Sequence, residues 1–198
     1  MTRHILLLCL LGNPFELNLG GHQRTVLEII EHFKDMPRLE ITVITTTKSS
    51  LKQLTPNHLY SNIVLYEIPI KKEWFENQDL LYDNRNFLYE TVKKIYENIK
   101  HPITLVHSTY WISGLLASQL CIEYHLTQIH SVISTSCERK RNGFSPVSSH
   151  QYESEQFFLP KVDRIISITE SEYELLIEKY HIEPVSYTHL RAHETRSN

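Results

Sequence analysis

The sequence has 198 residues, a formal net charge of −3 and a hydrophobic fraction of 41%. This length and composition fit one globular domain with a sizeable core, or two small domains. The slightly acidic balance gives no basic field of the kind that attracts nucleic acid, so we expect no nucleic-acid partner. Cys9, Cys121 and Cys137 lack the spacing of a disulfide framework or a metal site. We therefore expect free thiols, no bound metal and a cytoplasmic protein.

The opening residues, MTRHILLLCLLG, combine a basic start with an apolar run. A signal peptide and a buried first strand are the two interpretations. No small-residue cleavage site follows, which favours the strand. No apolar run approaches the roughly 18 residues of a spanning helix, so we expect no transmembrane segment. Peripheral contact with a membrane surface stays open.

Short apolar runs and helical patterns alternate along the rest of the chain. The runs are rich in Ile, Val, Leu and Thr, which is typical of strands buried on both faces. They are HILLLCLL, EITVITTT, NIVLYEIPI, ITLVHS, IHSVIST and RIISIT. Helical periodicity appears in residues 26–33, 88–99, 111–124, 148–159 and 170–180, and residues 70–78 and 137–150 are predicted as loops. The alternation predicts an α/β fold, a Rossmann-like parallel sheet with helices on both faces.

Two adjacent glycines, Gly20 and Gly21, stand between the first predicted strand and the first predicted helix. In an open parallel sheet this position lies at the carboxyl edge, where ligands bind. Glycine allows positive φ and close approach of a ligand, and the helix N-terminus offers free N–H groups to phosphate or a sugar hydroxyl. A plain tight turn is the alternative. Neither GxGxxG nor GxxxxGK[ST] is present, which disfavours a dinucleotide site and a P-loop.

Three further stretches extend the pattern: LVHSTYWISGLLA, STSCERKRNG and YESEQFFLPKVDRIISITESEYELLIEKY. Together with GGHQRTVLEIIEHF, they resemble the N-terminal domain of family-four glycosyltransferases, which have the GT-B fold. Within that family the resemblance points to the branch that holds mycothiol glycosyltransferase and sucrose-phosphate synthase. It spans residues 4–184.

The resemblance implies a two-domain enzyme whose N-terminal domain, here residues 1–184, holds the acceptor. By this resemblance we expect the nucleotide-sugar donor to bind a C-terminal domain outside this sequence, and we expect this chain alone to transfer no sugar. A hexosyl group would pass to a sugar, a sugar phosphate or another small acceptor, with retention and with no metal or cofactor. The alternatives are a non-catalytic binding or scaffold domain of the same fold and a GT-B-fold sugar epimerase.

The resemblance also implies site residues. Gly20 and Gly21 match the family's glycine turn, and His107 matches the first histidine of its HxH strand end. Thr109 replaces the second histidine, which usually contacts the donor sugar, and Tyr110 continues the match. We therefore take His107 and Thr109 as candidate catalytic residues and the glycines with Tyr110 as substrate-binding. A strand-end histidine that is hydrogen-bonded to a neighbour is the alternative for His107.

Two later motifs add substrate-binding candidates. Arg139 and Arg141 fit basic positions of a family loop, and they could bind an anionic acceptor together. Glu155 fits a helix glutamate of the family pattern, which stands eight residues before an aspartate, here Asp163. The alternatives are a solvated charge run and a surface glutamate. Thr135 and Gln151 replace a histidine and an arginine of the family pattern, which, with Thr109, is consistent with the scaffold alternative.

The last fourteen residues, VSYTHLRAHETRSN, break from the preceding pattern. They show no apolar periodicity, so no regular element is predicted there. Residues 185–195 resemble one translated frame of a sequencing adapter. We therefore treat residues 185–198 as a non-native polar tail.

Overall fold

One sheet forms the centre of the molecule. The computed structural model describes residues 2–15, 20–48, 54–144, 147–167, 169–183 and 187–189. The strands are β1 (Arg3–Cys9), β2 (Leu39–Thr47), β3 (Asn57–Tyr60), β4 (Ile63–Pro69), β5 (Leu105–Thr109), β6 (Gln128–Ser131), β7 (Arg164–Ser167) and β8 (Tyr187–His189). Their order is β3-β4-β2-β1-β5-β6-β7-β8, and every neighbouring pair is parallel except β3 with β4. The predicted Rossmann-like α/β fold is confirmed.

Helices cover both faces of this sheet. They are α1 (Gly21–Phe33), α2 (Lys72–Glu76), α3 (Gln78–Asp83), α4 (Arg85–Glu97), α5 (Trp111–Tyr124), α6 (Ser136–Arg141), α7 (Gln151–Phe158) and α8 (Glu170–Tyr180). Val26 and Ile30 of α1 pack on one face, in a cluster with Leu7 of β1. The larger cluster lies on the other face, where α4, α5, α7 and α8 meet Leu6 and Leu8. The odd and even residues of β1 thus serve two separate cores, as expected for a strand buried on both faces.

The predicted loops are wrong in part. Residues 70–78 contain α2, whose Trp74 and Phe75 pack against the larger core cluster. Residues 137–150 begin inside α6, which is capped by Thr135 through a 3.2 Å bond from the Glu138 amide to its side chain. Both helices are too short to show apolar periodicity. The edge strand β3 was not predicted either, because it has four residues and all of them are exposed or half-buried.

The prediction that residues 185–198 form no regular element is wrong at three residues, whereas their non-native origin stays a prediction. β8 pairs in parallel with β7, with Tyr187 opposite Ile165 and His189 opposite Ser167. Pairing at a sheet edge uses backbone N–H and C=O groups, which every sequence supplies, so it needs no apolar pattern. Residues 185, 186 and 190–198 lie outside the described residues.

Close contact between α5 and α7 depends on Gly114. A Cβ at this position would lie 2.4 Å from two ring carbons of Phe158 and 2.8 Å from Cε1 of His130. Phe158 is fully buried, so its ring has no space into which it could move. Glycine at this position is therefore a packing requirement. Gly21, in contrast, would place its Cβ within 4 Å of nothing.

We expect Gly114→Ala to lower the free energy of unfolding by about 1–3 kcal/mol, because the added methyl group overpacks the core. Gly21→Ala is the matched control, since it makes the same change in an uncrowded helix. That control should leave stability unchanged or raise it by up to about 1 kcal/mol. Urea unfolding followed by circular dichroism measures both. Equal midpoints for the two variants would contradict the packing argument.

Candidate functional site

Three strand-to-helix connections lie side by side at the carboxyl edge of the sheet. β1 leads to α1, β5 leads to α5, and β6 leads to α6. β5 pairs with β1 on one side and with β6 on the other. Because all three strands are parallel, their following loops meet at one edge, where open α/β sheets bind ligands. Three of the four motifs predicted from sequence fall at these connections, and the fourth, which contains Glu155, spans α7, β7 and α8.

The glycine pair does not use positive φ. Gly20 precedes α1 in an extended conformation, with φ −72° and ψ 170°, and Gly21 is the first residue of the helix. Among the described glycines, positive φ occurs at Gly12 and Gly143. The conformational reason expected for Gly20 and Gly21 is therefore wrong. Both residues are exposed. The other expected reason for glycine, that the missing side chains let a ligand approach the helix N-terminus closely, stays a prediction.

His22 joins the glycine turn to the end of β5. Its Nε2 lies 2.9 Å from Oγ1 of Thr109, and both residues are buried. The His22 ring also lies 5.5 Å from the ring of Tyr110. Thr109 stands where the family pattern has a histidine. The imidazole of His22, which belongs to α1, thus lies beside this position. Sequence reasoning missed His22, because a single histidine after two glycines carries no spacing signal.

Tyr110 has an unusual backbone and a fully engaged side chain. Its φ is +67° and its ψ is 154°, a region that residues with a side chain seldom occupy and that is enriched at functional sites. Its hydroxyl donates to Oε1 of Gln78 at 3.0 Å, and the indole N–H of Trp111 donates to the same oxygen at 3.2 Å. Tyr110 is 4% exposed. The structure therefore places it as a link between α5 and the start of α3.

His107 faces β6. Its Nε2 lies 2.8 Å from Oγ of Ser131. Desolvation lowers the pKa of His107 to about 4, so the ring is neutral near pH 7. This is the arrangement that the alternative interpretation describes, a strand-end histidine hydrogen-bonded to its neighbour. A catalytic role for His107 stays a prediction.

The two arginines of the basic run separate. Residues two apart on a helix do not share a face, and Arg139 and Arg141 both lie in α6. Arg141 donates to Oγ of Ser171 on α8 at 2.7 Å. Arg139 lines a cavity of about 420 Å³ together with Gln78 and Ser148. The structure therefore does not bring the two guanidinium groups together, and only Arg139 of the pair faces this cavity.

Asp79 also lines that cavity. Its Oδ1 accepts a 2.5 Å bond from the Ser148 hydroxyl and a 3.1 Å bond from the Ser149 amide. These bonds tie α3 to the segment before α7. With Gln78 and Arg139 also in the lining, the cavity offers amide, carboxylate and guanidinium groups. Glu76 adds a second carboxylate to this lining. The set therefore suits the hydroxyl groups of a polyol, and Arg139 is the cationic group of the lining that can bind an anionic substituent.

Glu155 lies beneath α6 rather than on the cavity wall. It is 3% exposed, which makes the surface interpretation wrong. Its carboxylate accepts bonds from the Ser136 amide at 3.0 and 3.2 Å, from the Tyr180 hydroxyl at 2.5 Å and from Nε2 of Gln151 at 2.7 Å. Burial raises the pKa of Glu155 to about 7, although these donors and the charge of Arg139 oppose the rise.

The described residues offer no arrangement for a metal. Among them, no group of three or more His, Cys, Asp or Glu side chains could hold an ion. Cys9, Cys121 and Cys137 carry free thiols. Within the same ranges, no helix has both the length and the apolarity needed to cross a bilayer.

Buried histidines predict how stability responds to acid. Desolvation lowers the pKa of His22 and His107 to about 4 and that of His130 to about 3. In the unfolded chain these rings take up protons near pH 6.5. As the pH falls from about 6.5 towards 4, the unfolded state therefore gains protons first and the free energy of unfolding falls. Glu155 opposes this trend, because its raised pKa makes its contribution more favourable as the pH falls below about 7.

The free energy of unfolding should fall between pH 7.5 and pH 5 in both wild type and His107→Gln. We expect the fall to be about 2 kcal/mol smaller in the variant, because one ring with a lowered pKa is removed. Urea unfolding at the two pH values measures the difference. His58→Gln, on the exposed edge strand β3, is the control. An identical loss in wild type and His107→Gln would show that His107 does not contribute to the acid response.

A family model matches the sequence, and solved structures share the fold. The model of Glycosyltransferase Family 4 matches residues 19–189. Sucrose-phosphate synthase from Thermosynechococcus elongatus superposes with a TM-score of 0.73 at 16% identity, over 94% of this chain and 47% of that chain. UGT89C1 from Arabidopsis thaliana, complexed with UDP, superposes with a TM-score of 0.62 at 9% identity, over 96% of this chain and 52% of that chain. An E. coli structure described as trehalose-6-phosphate bound with UDP-2-fluoro glucose superposes with a TM-score of 0.57 at 9% identity, over 88% of this chain and 42% of that chain.

These structural likenesses, all at low identity, establish the fold. No curated protein sequence matches the chain. The chain spans about half the length of the sucrose-phosphate synthase that it matches. The family match, in contrast, covers most of the chain: it begins at the end of the first connection, with Gly20 and Gly21, and includes the whole of the other two. The chain belongs to glycosyltransferase family 4.

Proposed function

We propose that this chain is the acceptor-side domain of an enzyme that transfers a hexosyl group from a nucleotide-sugar to a small acceptor. The observation that carries the proposal is the 2.9 Å contact between His22 and Thr109. It brings the glycine turn and the end of β5, which lie far apart in sequence, to one place at the carboxyl edge. Membership of the family supplies the reaction class.

The donor in this proposal is a nucleotide-sugar of the UDP type. UGT89C1 is complexed with UDP, and the E. coli structure is bound with UDP-2-fluoro glucose. Because this chain spans about half of the matched sucrose-phosphate synthase, the proposal assigns the donor site to polypeptide outside the matched half. Transfer requires both reactants in one cleft, so the 198-residue chain alone should transfer no sugar.

The acceptor side is formed by two features of this chain. The helix α1 has 13 residues and begins at Gly21. Its first turn presents free N–H groups and the positive end of the helix dipole. Arg139 contributes a guanidinium that binds phosphate or carboxylate through two points. Gln78, Asp79 and Ser148 line the same cavity and can exchange hydrogen bonds with sugar hydroxyls. We therefore propose a sugar phosphate or another anionic polyol as acceptor.

Further properties of the reaction follow from the resemblance and stay predictions. They are retention at the anomeric carbon, independence of metal and cofactor, and a cytoplasmic location. Product NMR would report the anomer, and assays with and without EDTA would report the metal requirement.

A non-catalytic binding domain is the second candidate. Several polar groups at the edge are occupied by bonds within the protein: His107 with Ser131, Tyr110 with Gln78. This leaves fewer groups for a substrate than the family pattern implies. In that case the protein would bind a nucleotide-sugar or an acceptor without turnover, which calorimetry combined with an activity assay would reveal.

We expect Arg139→Ala in the full-length enzyme to raise the acceptor KM by about ten- to a hundredfold, since a charge-assisted contact contributes about 1.5–3 kcal/mol. Arg141→Ala is the matched control, because its guanidinium bonds to Ser171 instead. It should change KM by less than about threefold. Radiolabelled UDP-glucose and a panel of sugar phosphates provide the assay. An equal effect of both variants would argue for a general electrostatic field rather than a site at Arg139.

Gly21→Ala should separate function from stability. Its Cβ meets no atom within 4 Å, so the fold tolerates the methyl group. A ligand that approaches the helix N-terminus would meet it, and we expect transfer to fall by about tenfold or more, which corresponds to at least about 1.4 kcal/mol. Steady-state kinetics and thermal unfolding of the same preparation test this. Unchanged kinetics would show that no ligand approaches Gly21 closely.

A further inference from the structure

The segment that leads from β6 into α6 is held by side chains from other helices. The amide of Ser134 donates to Oε1 of Glu172 at 3.0 Å, and the amide of Ser136 donates to Glu155. The amide of Cys137 donates to the Tyr180 hydroxyl at 3.4 Å. The acceptors come from α7 and α8. We call the four side chains that hold this segment the α6 anchor: Gln151, Glu155, Glu172 and Tyr180.

The α6 anchor is buried and polar throughout. Its members are between 0% and 3% exposed, and two of them are carboxylic acids. Burying such groups costs free energy unless their hydrogen bonds are satisfied, and an apolar cluster of similar volume is often at least as stable. Stability alone therefore does not explain the anchor. A requirement for one defined position of α6 does.

α6 cannot define that position by itself. It has six residues, and an isolated helix of this length is unstable in water. Ser134, just before it, has a φ of +70°, which adds strain that the surrounding bonds must hold. Nε2 of Gln151 contributes by donating to the Ser134 carbonyl at 3.3 Å. The anchor thus sets where α6 begins, and α6 carries Arg139 to the cavity wall.

We propose that Glu155 is a positioning residue of the acceptor site: its carboxylate fixes the first turn of α6 and so sets where Arg139 stands in the cavity. This inference rests on the proposed function, because it needs the acceptor to bind at Arg139. Glu155 makes no direct contact with the acceptor. It acts through the backbone of Ser136.

The positioning is linked to protonation. An ionised Glu155 accepts from Ser136, Tyr180 and Gln151 together. A proton on one oxygen turns that oxygen into a donor, and one of these bonds is lost. The charged and titratable groups around Glu155 are Arg139 and Cys137 from α6, Tyr180 from α8 and Tyr110 from the start of α5. Because burial raises the pKa of Glu155 to about 7, the exchange falls in the neutral range.

The first test follows α6 itself by NMR in the 198-residue chain. We expect the amide signals of Ser136 and Cys137 to shift together with a midpoint near pH 7, and we expect this step to vanish in Glu155→Gln. Glu153→Gln, an exposed position on the same helix, is the control and should keep the step. If Glu155→Gln does not fold, Tyr180→Phe replaces it. Removing that donor from the carboxylate should move the midpoint to higher pH. A step that persists in Glu155→Gln, or a midpoint unchanged in Tyr180→Phe, would overturn the proposal.

The second test uses the full-length enzyme. Glu155→Gln should raise the acceptor KM by about tenfold, which corresponds to about 1.4 kcal/mol, while the donor KM stays within about twofold. The pH profile of the acceptor KM should lose its step near pH 7, which a merely structural role would not move. Transfer by Glu155→Gln with unaltered acceptor KM would overturn the inference and leave the proposed function standing. Absence of transfer by wild type, with the amide step intact, would overturn the proposed function instead.

Discussion

Parallel pairing of β1 between β2 and β5 is the constraint on which the rest of the structure depends. β1 pairs with both neighbours over most of its length, so its two edges are saturated with backbone hydrogen bonds. Helices must then cover both of its faces, and alternate residues enter two different cores. The same pairing aligns the ends of β1 and β5. The site at the carboxyl edge is thus a consequence of the central pairing rather than a separate construction.

Fold prediction from sequence succeeds where burial imposes a pattern. HILLLCLL and EITVITTT predict β1 and β2 because strands buried on both faces must be apolar. The bounds of α5 and α8 match those predicted, since both helices carry apolar residues that face the core along their length. Prediction fails for α2, α6 and β3, which are short or lie at an edge. Their positions depend on caps and tertiary contacts such as the Thr135 cap, and a local window does not contain that information.

The candidate site shows the same division. Sequence motifs identify which connections form the site, because a strand end followed by a helix start is a local signal. They do not give the direction of a side chain. Arg139 and Arg141 are equivalent in the sequence pattern, yet helical geometry turns one towards the cavity and the other towards α8. The contact of His22 with Thr109 joins residues 87 positions apart, so only the assembled sheet reveals it.

Charge separates the groups at this edge into two kinds. His22 and His107 are neutral near pH 7, since burial disfavours their charged forms. Each is hydrogen-bonded to a neighbouring hydroxyl within the protein, Thr109 and Ser131 respectively, and neither can balance an anion. Arg139 contributes a guanidinium, which donates hydrogen bonds and carries positive charge, and the N-terminus of α1 adds a partial positive charge. An anionic group would accordingly be attracted to Arg139 and to the N-terminus of α1 rather than to these histidines. Because α6 carries Arg139, binding of an anion at this edge should depend strongly on where α6 stands. It should therefore also depend on Glu155, the buried carboxylate that holds the first turn of α6.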